Sequence, residues 1–313
     1  MQGLPAPENS HSSQFSETLN HEKEAKVRPG NLRTRIFLDG GDPEESEKLI
    51  RLLGFLDGQT TNPTLISKNP DARLRMDRGK GFTEEELLDF YCQVVQDIAR
   101  RMPEGSISVE VYARPDTPAD RMLDQARKMF SWIPNAQIKF PCSHEGLKAA
   151  QQAVAQGIRV NMTLCFSQEQ AAAVYAATQD ANRGDVYISP FVGRPDDRNQ
   201  NGMALIDNIL RMYRNGDGHV EVLGASVRSL DHLLYGIHLG CDIITAPYKI
   251  LNEWGEKGLA MPGPDYRYAP AGLRPIPYEQ IDLGQAWHLY DIDHELTTKG
   301  MEMFSEDWDR LII

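Results

Sequence analysis

The sequence predicts a (β/α)8 barrel carrying a C-terminal helical extension and preceded by a disordered polar leader. Two observations support this. Between about Arg35 and Trp254, short apolar runs alternate eight times with helical patterns, the mark of repeated βα units around a parallel sheet. The 313 residues, 41% of them hydrophobic, also suit one α/β barrel with additions.

The elements follow in order. Ile36-Phe37-Leu38 is the first strand, with a helix from Glu44 to Leu53. Phe55-Leu56 running into Gln59-Thr60-Thr61 is the second, and its helix spans Glu84 to Arg101. Ile107 to Val111 precedes a helix from Pro118 to Phe130, and Ile138 to Phe140 precedes one from Glu145 to Gln156. Arg159 to Leu164 leads to the alanine-rich helix Gln168 to Ala177, and Val186 to Ile188 to a helix from Gly202 to Arg214. Val220 to Leu223 is followed by Ser229 to Leu239, and Ile243 to Thr245 by Tyr248 to Trp254. The expected division is a polar, aperiodic leader over 1–30, a catalytic barrel over 31–254 and an appendage over 255–313. The appendage begins as a Pro-, Gly- and Tyr-rich loop to about Pro277. Two helices are expected between Ile281 and Ile313, the first ending before Leu296. They would cover either the barrel mouth or an interface in a homo-oligomer.

Composition excludes several classes. Thirty-three basic against 45 acidic residues give a net charge of -12, which argues against nucleic acid or an anionic membrane as the main partner. No apolar run is long enough to span a membrane, and the N-terminus lacks the apolar core of a secretory signal. Cys92, Cys142, Cys165 and Cys241 form no CxxC pair, so reduced thiols in a cytoplasmic protein are expected, with Cys142 packing. His219, His232 and His238 lack ligand spacing, so no metal is predicted. No glycine-rich phosphate loop is present, so no nucleotide cofactor is implied.

In such a barrel the chemistry sits at the C-terminal strand ends. Lys139 lies in the apolar run Ile138 to Pro141, where an ammonium must either pair with a carboxylate or lose its proton. A neutral amine facing a pocket is a nucleophile suited to Schiff-base formation. Asp39 could take a proton from a substrate hydroxyl, or only shape the Gly40-Gly41 turn and cap the next helix. Glu110 and Thr163 could hold a proton-shuttling water, or Glu110 could merely neutralise Lys139. Asn62, Asn161 and Ser189 can bind polyol hydroxyls. Arg194 and Arg228 offer forks for a phosphate, or could be surface ion-pair members.

Five stretches, in order, resemble blocks of the transaldolase family: Asp57 to Ile66, Ile138-Lys139-Phe140-Pro141 with Glu145-Gly146-Leu147, Gly157 to Leu164, Ser189 to Arg194, and Gly224 to Arg228. The resemblance runs from about Arg35 to Tyr248. It implies a (β/α)8 barrel and a metal-free class I mechanism, with Lys139 as Schiff-base lysine and Asp39 as acid/base. Glu110 and Thr163 would hold the catalytic water, and Asn62, Asn161 and Ser189 would contact the dihydroxyacetone moiety. Arg194 and Arg228, assisted by Ser226, would bind phosphate. The implied reaction moves dihydroxyacetone from fructose 6-phosphate or sedoheptulose 7-phosphate to an aldose phosphate, in the non-oxidative pentose phosphate pathway.

The nearest alternative is a fructose 6-phosphate aldolase, which resembles this chain in its lysine but releases free dihydroxyacetone. That branch tends to be shorter, with glutamine where Glu110 stands and tyrosine where Phe191 stands. A sugar-phosphate-binding barrel without catalysis is a more distant alternative, since binding needs no such set of Lys139, Asp39, Glu110 and Thr163.

Overall fold

Eight parallel strands pair in chain order, the eighth with the first, and close into the expected barrel. The structure, a computed structural model, describes residues 1, 3, 26–270 and 272–313. The strands are β1 (Arg35–Asp39), β2 (Gly58–Thr60), β3 (Ser106–Glu110), β4 (Ala136–Pro141), β5 (Val160–Cys165), β6 (Val186–Pro190), β7 (Val220–Gly224) and β8 (Ile243–Ala246). Helices cover both faces of no strand singly but ring the barrel outside, so β4 to β8 are buried at every residue, as a parallel sheet requires.

The first half carries α1 (Pro43–Leu53), α2 (Pro63–Ser67), α3 (Pro70–Asp77), α4 (Glu84–Arg101), α5 (Ala119–Phe130) and α6 (His144–Ala155). The second half carries α7 (Gln168–Ala177), α8 (Gly193–Asp196), α9 (Gly202–Tyr213), α10 (Leu230–Leu239), α11 (Tyr248–Glu256) and α12 (Glu295–Asp309). Their starts are chemically marked. Ser143, Ser167 and Ser229 accept the N–H groups of Gly146, Gln170 and His232, and Thr83 forms a capping box with Glu86. Asp42 caps α1 through the Glu44 N–H at 2.9 Å, which leaves Asp39 free of that duty.

Several expectations are corrected. The second strand is only Gly58–Thr60; Phe55 instead packs edge-on to Trp254 below the barrel, 6.3 Å between centroids. Two short helices, α2 and α3, intervene before α4. Each opens with an Asn-Pro pair, Asn62-Pro63 and Asn69-Pro70, in which the asparagine caps and the proline supplies the first helical φ. Ile281 to Ile313 holds one helix, α12, and a single 3-10 turn at Trp287–Leu289 in place of two helices. The backbone there is claimed by the barrel instead. Gln168 exchanges hydrogen bonds with Glu279 N and O, Gln170 donates to Ile292 O, and Tyr290 donates to Asp282 O.

Of the expected leader, residues 4–25 lie outside the described residues. Arg28, which that expectation included, is anchored to the barrel: it holds both oxygens of Asp57 at 2.6 and 2.7 Å and stacks over Phe55. Cys142, Cys165 and Cys241 are buried, and burial pushes the Cys142 thiol well above its ordinary value. Among the described residues no helix is long and apolar enough to cross a membrane.

Across the lower end of the barrel Glu221, 7% exposed, receives Arg35 at 2.6 Å and Arg183 at 3.2 Å. Arg35 also reaches Tyr187 Oη at 3.1 Å, and Arg183 reaches Asp242 at 2.7 Å. Removing the shared carboxylate would leave the Arg35 guanidinium without its carboxylate, while Arg183 would keep only Asp242. Glu221→Ala is expected to lower unfolding free energy by about 3 kcal/mol in urea titration, with catalysis at the far end of the barrel unaffected. Unchanged stability would show the network to be incidental.

Candidate active site

The upper ends of the strands open into a cavity of about 230 Å³. Lys139 projects into it from β4, and register explains its partner: Glu110 on β3 is its direct Cα neighbour. The ammonium stands 2.8 Å from Glu110 Oε2 and donates to Thr61 O at 3.0 Å, both groups lying deep in the barrel. Burial pushes Glu110 up from the ordinary carboxylate range, and the lysine charge beside it only partly opposes this. Such a carboxyl is well placed to take the proton that an attacking amine must lose.

Asp39 ends β1, recessed in the cavity yet open to it. Burial raises its pKa, opposed first by the charge of Lys139 and then by a hydrogen bond from Thr60. Thr60 Oγ1 donates to Asp39 Oδ1 at 2.7 Å. A hydroxyl has one proton to give, so the 2.6 Å contact between Thr60 and Thr245 is donated by Thr245. This Thr245–Thr60–Asp39 relay was not foreseen. Its signal was the threonine near the end of the eighth strand, where β1, β3, β4 and β6 carry Asp39, Glu110, Lys139 and Ser189.

On β5, Thr163 lines the cavity, and its Oγ1 is buried without a hydrogen-bond partner. The next residue, Leu164, holds φ at +58°, a left-handed value unusual for a leucine, where β5 and β6 shift register. Asn161 does not reach the cavity. It is fully buried behind Ser189, accepting that hydroxyl at 2.6 Å while donating to Ser108 Oγ at 3.0 Å. Asn161 therefore aims Ser189, whose oxygen remains free to accept. Glu110 likewise stands behind Lys139 and is not part of the wall. Asn62 is part of it, with its Oδ1 occupied capping α2 at Leu65 N and its amide nitrogen uncommitted.

The loops after β6 and β7 bring Phe191, Arg194, Ser226 and Arg228 to the same cavity. They are laced together by Val192 N to Ala225 O and Gly193 N to Ser226 O, at 2.9 and 3.1 Å. A Cβ on Gly193 would fall 2.2 Å from Arg228 Nε, so only glycine lets the second arginine pass. Arg228 pairs with Asp197. Arg194 forms no salt bridge among the described residues; it lies between the rings of Phe191 and Phe304, 5.6 and 5.7 Å from their centroids. Burial first, and Arg228 nearby, lower its pKa. Two neighbouring cations with one carboxylate between them leave room for an anion.

Of the appendage, α12 covers the mouth. Thr64 binds Asp307, Thr297 Oγ1 donates to Leu164 O at 2.8 Å, and Met303 and Phe304 complete the cavity wall. Lys68, at the end of α2, adds a third cation to the rim; none of these rim residues was foreseen, because nothing in the local pattern places a distant helix there. Elsewhere His219 bonds Asp217 and Thr178, and His232 pairs with Asp196 at 3.1 Å, so both are tied into the scaffold. Among the described residues no group of three or more His, Cys, Asp or Glu is placed to hold a metal ion.

A lysine–carboxylate centre and an arginine-lined end in a (β/α)8 barrel are what an enzyme of the aldolase/transferase kind requires, and the relatives of this chain are of that kind. Residues 36–313 match the family described as transaldolase/fructose-6-phosphate aldolase. The chain is 38% identical over 219 residues to a probable transaldolase of Dehalococcoides mccartyi, covering 70% of this chain and 89% of the relative. It is 35% identical over 247 residues to a probable transaldolase of Myxococcus xanthus, covering 77% and 98%. The chain belongs to the transaldolase/fructose-6-phosphate aldolase family.

Because Asp39 has a raised pKa, its ionised form costs stability, and that cost is present above the folded pKa and vanishes once both states are protonated. Asp39→Asn is accordingly expected to raise Tm at pH 8, with the gain narrowing as pH is lowered through the titration of Asp39. A scanning-calorimetry series from pH 8 to pH 4 checks this. A gain that grows on acidification would reverse the sign assigned to the carboxylate.

Proposed function

We propose that this protein is a transaldolase, moving a dihydroxyacetone unit from a ketose phosphate, fructose 6-phosphate or sedoheptulose 7-phosphate, to an aldose phosphate in a cytoplasmic non-oxidative pentose phosphate pathway. The observation that carries the reading is Lys139, backed by Glu110 at 2.8 Å, opening onto the cavity that Asp39 also lines. Lys139 Nζ, its proton passed to Glu110, attacks the ketose carbonyl carbon and forms a carbinolamine. Loss of that hydroxyl as water gives an iminium. The Thr163 Oγ1, buried without a hydrogen-bond partner, and the Glu110 carboxylate beside the lysine are suited to hold the departing water.

Asp39 then takes the proton of the C4 hydroxyl, the C3–C4 bond breaks, and its electrons flow into the iminium. An aldose phosphate leaves and an enamine remains on Lys139. The acceptor aldehyde receives the C3–C bond while Asp39 returns the proton to the new hydroxyl, and hydrolysis frees the lysine. Ser189 and Asn62 face the hydroxyls of the three-carbon unit, with Asn161 orienting Ser189. Arg194, Arg228 and Ser226 take the phosphate, and Lys68 adds charge at the same rim.

Transfer is favoured over release of free dihydroxyacetone because Phe191 puts an apolar ring in the wall of the cavity that Lys139 enters. Phe191 is 8% exposed, stacks edge-on to Phe166 at 5.5 Å, and carries no hydroxyl to activate water against the enamine. The deciding assay is glyceraldehyde 3-phosphate release from fructose 6-phosphate with and without erythrose 4-phosphate. Release that requires the acceptor is expected; sustained release without it would move the protein to the aldolase branch. Lys139→Met should abolish borohydride trapping of the ketose and lower transfer by about 10³-fold or more. Arg194→Ala should raise KM for phosphorylated donors by about 10- to 100-fold, the loss of one charge-assisted contact, with little change toward unphosphorylated dihydroxyacetone as donor.

A further inference from the structure

Tyr91 belongs to α4, outside the barrel, yet its hydroxyl reaches between β2 and β3 beneath the active site. The need for it arises where the chain leaves the sheet. Thr61 N to Ser108 O is the last hydrogen bond between these strands, because Asn62-Pro63 turns the chain away to start α2. The next amide of β3, Glu110 N–H, has lost its acceptor from β2. It donates instead to Tyr91 Oη at 2.9 Å.

The direction of each bond can be assigned. Thr61 Oγ1 donates its one proton to Ser108 O at 2.7 Å, so the 2.7 Å contact between Tyr91 and Thr61 is donated by the phenol. The series runs Glu110 N–H to Tyr91 O–H to Thr61 O–H to Ser108 C=O. Glu110 and Thr61 are also the two groups that hold Lys139, through the carboxylate at 2.8 Å and the carbonyl at 3.0 Å. One phenol therefore ties together both partners of the lysine. The ring is fully buried and fixed between Trp132 and Trp308 of α12, at 5.6 and 5.8 Å.

We infer that Tyr91 is a positioning residue for the lysine, setting the Glu110 and Thr61 acceptors from outside the barrel through this series of directed hydrogen bonds. It touches neither substrate nor reacting atoms. Its effect on turnover rests on the lysine chemistry proposed above, since a nucleophile displaced by a fraction of an ångström loses rate without losing affinity.

The test compares Tyr91→Phe, which keeps the ring and removes the bonds, with Trp132→Phe, which loosens the same packing and leaves the bonds. For Tyr91→Phe, kcat and the rate of borohydride trapping are expected to fall about tenfold with KM within about twofold, whereas Trp132→Phe loses stability but keeps kcat. Reductive methylation of Lys139 without substrate, followed by peptide mass spectrometry at pH 8, provides a second readout. With its acceptors loosened, the amine should label about threefold faster in Tyr91→Phe and at the parental rate in Trp132→Phe. Equal behaviour of the two variants in both measurements would overturn the inference and make Tyr91 a packing residue. A parental enzyme that traps no ketose, combined with selective labelling of Tyr91→Phe, would defeat the proposed activity while upholding the positioning role. If Tyr91→Phe fails to fold, Thr61→Val breaks the same series while keeping the carbonyl, and the same labelling criterion decides.

Discussion

The ion pair of Lys139 and Glu110 is the constraint on which the rest of the molecule depends. Two charges removed from water are tolerated only when geometry and additional hydrogen bonds compensate their desolvation. Here the compensation is built from strand register. Glu110 and Lys139 are direct neighbours across β3 and β4, and a slip of one residue would turn either side chain out of the barrel. Thr61 O satisfies a further ammonium proton, and Tyr91 satisfies the backbone of the strand that carries the carboxylate. The carboxyl with its raised pKa and the lysine beside it form an acid–base pair held out of bulk water.

Around that pair the barrel departs from regular geometry where it meets the cavity. Leu164 and Ser226, adjacent to or within the cavity wall, both hold φ at +58°, a conformation that costs free energy for residues with a Cβ. Their neighbours hold them there. Thr297 of α12 donates to Leu164 O, and the Ser226 carbonyl receives Gly193 N. A Cβ at Gly300 would stand 2.6 Å from Leu164 Cδ2 and 2.8 Å from Arg194 Nη1, so a glycine is what lets α12 lie this close over the mouth. The appended helix thus presses on the strained strand end and on Arg194 with the same turn.

Much of this was legible in the chain. All eight strands, the placement of the lysine and eight of the cavity-lining side chains follow from apolar runs ending in or followed by polar residues, because a parallel barrel puts every such end on one rim; Phe191 entered only through the family resemblance. The roles of Asp39 and Glu110 were less legible. Whether Asp39 or Asp42 caps α1 depends on the path of the Gly40-Gly41 turn, and Asp42 takes the Glu44 N–H. Glu110 as mere neutraliser or as part of the chemistry cannot be separated by residue type, and the structure places it in contact with the lysine and behind the wall. The segment from Ile281 to His294 carries apolar residues at helical spacing, but Gln170 of α7 takes the Ile292 carbonyl, and Gln168 fixes Glu279 just before it.

The sequence by itself determined the apolar strand runs, the helical patterns and the identity of the groups at the strand ends, since these depend on neighbours within a few positions. Only the tertiary structure decided which of those groups face each other. The Thr245–Thr60–Asp39 relay joins the eighth strand to the first two, Tyr91 enters from an outer helix, and α12 crosses the mouth from 132 or more positions beyond Thr163. Each is a contact between segments far apart in the chain, brought together by barrel closure, and no local periodicity encodes it.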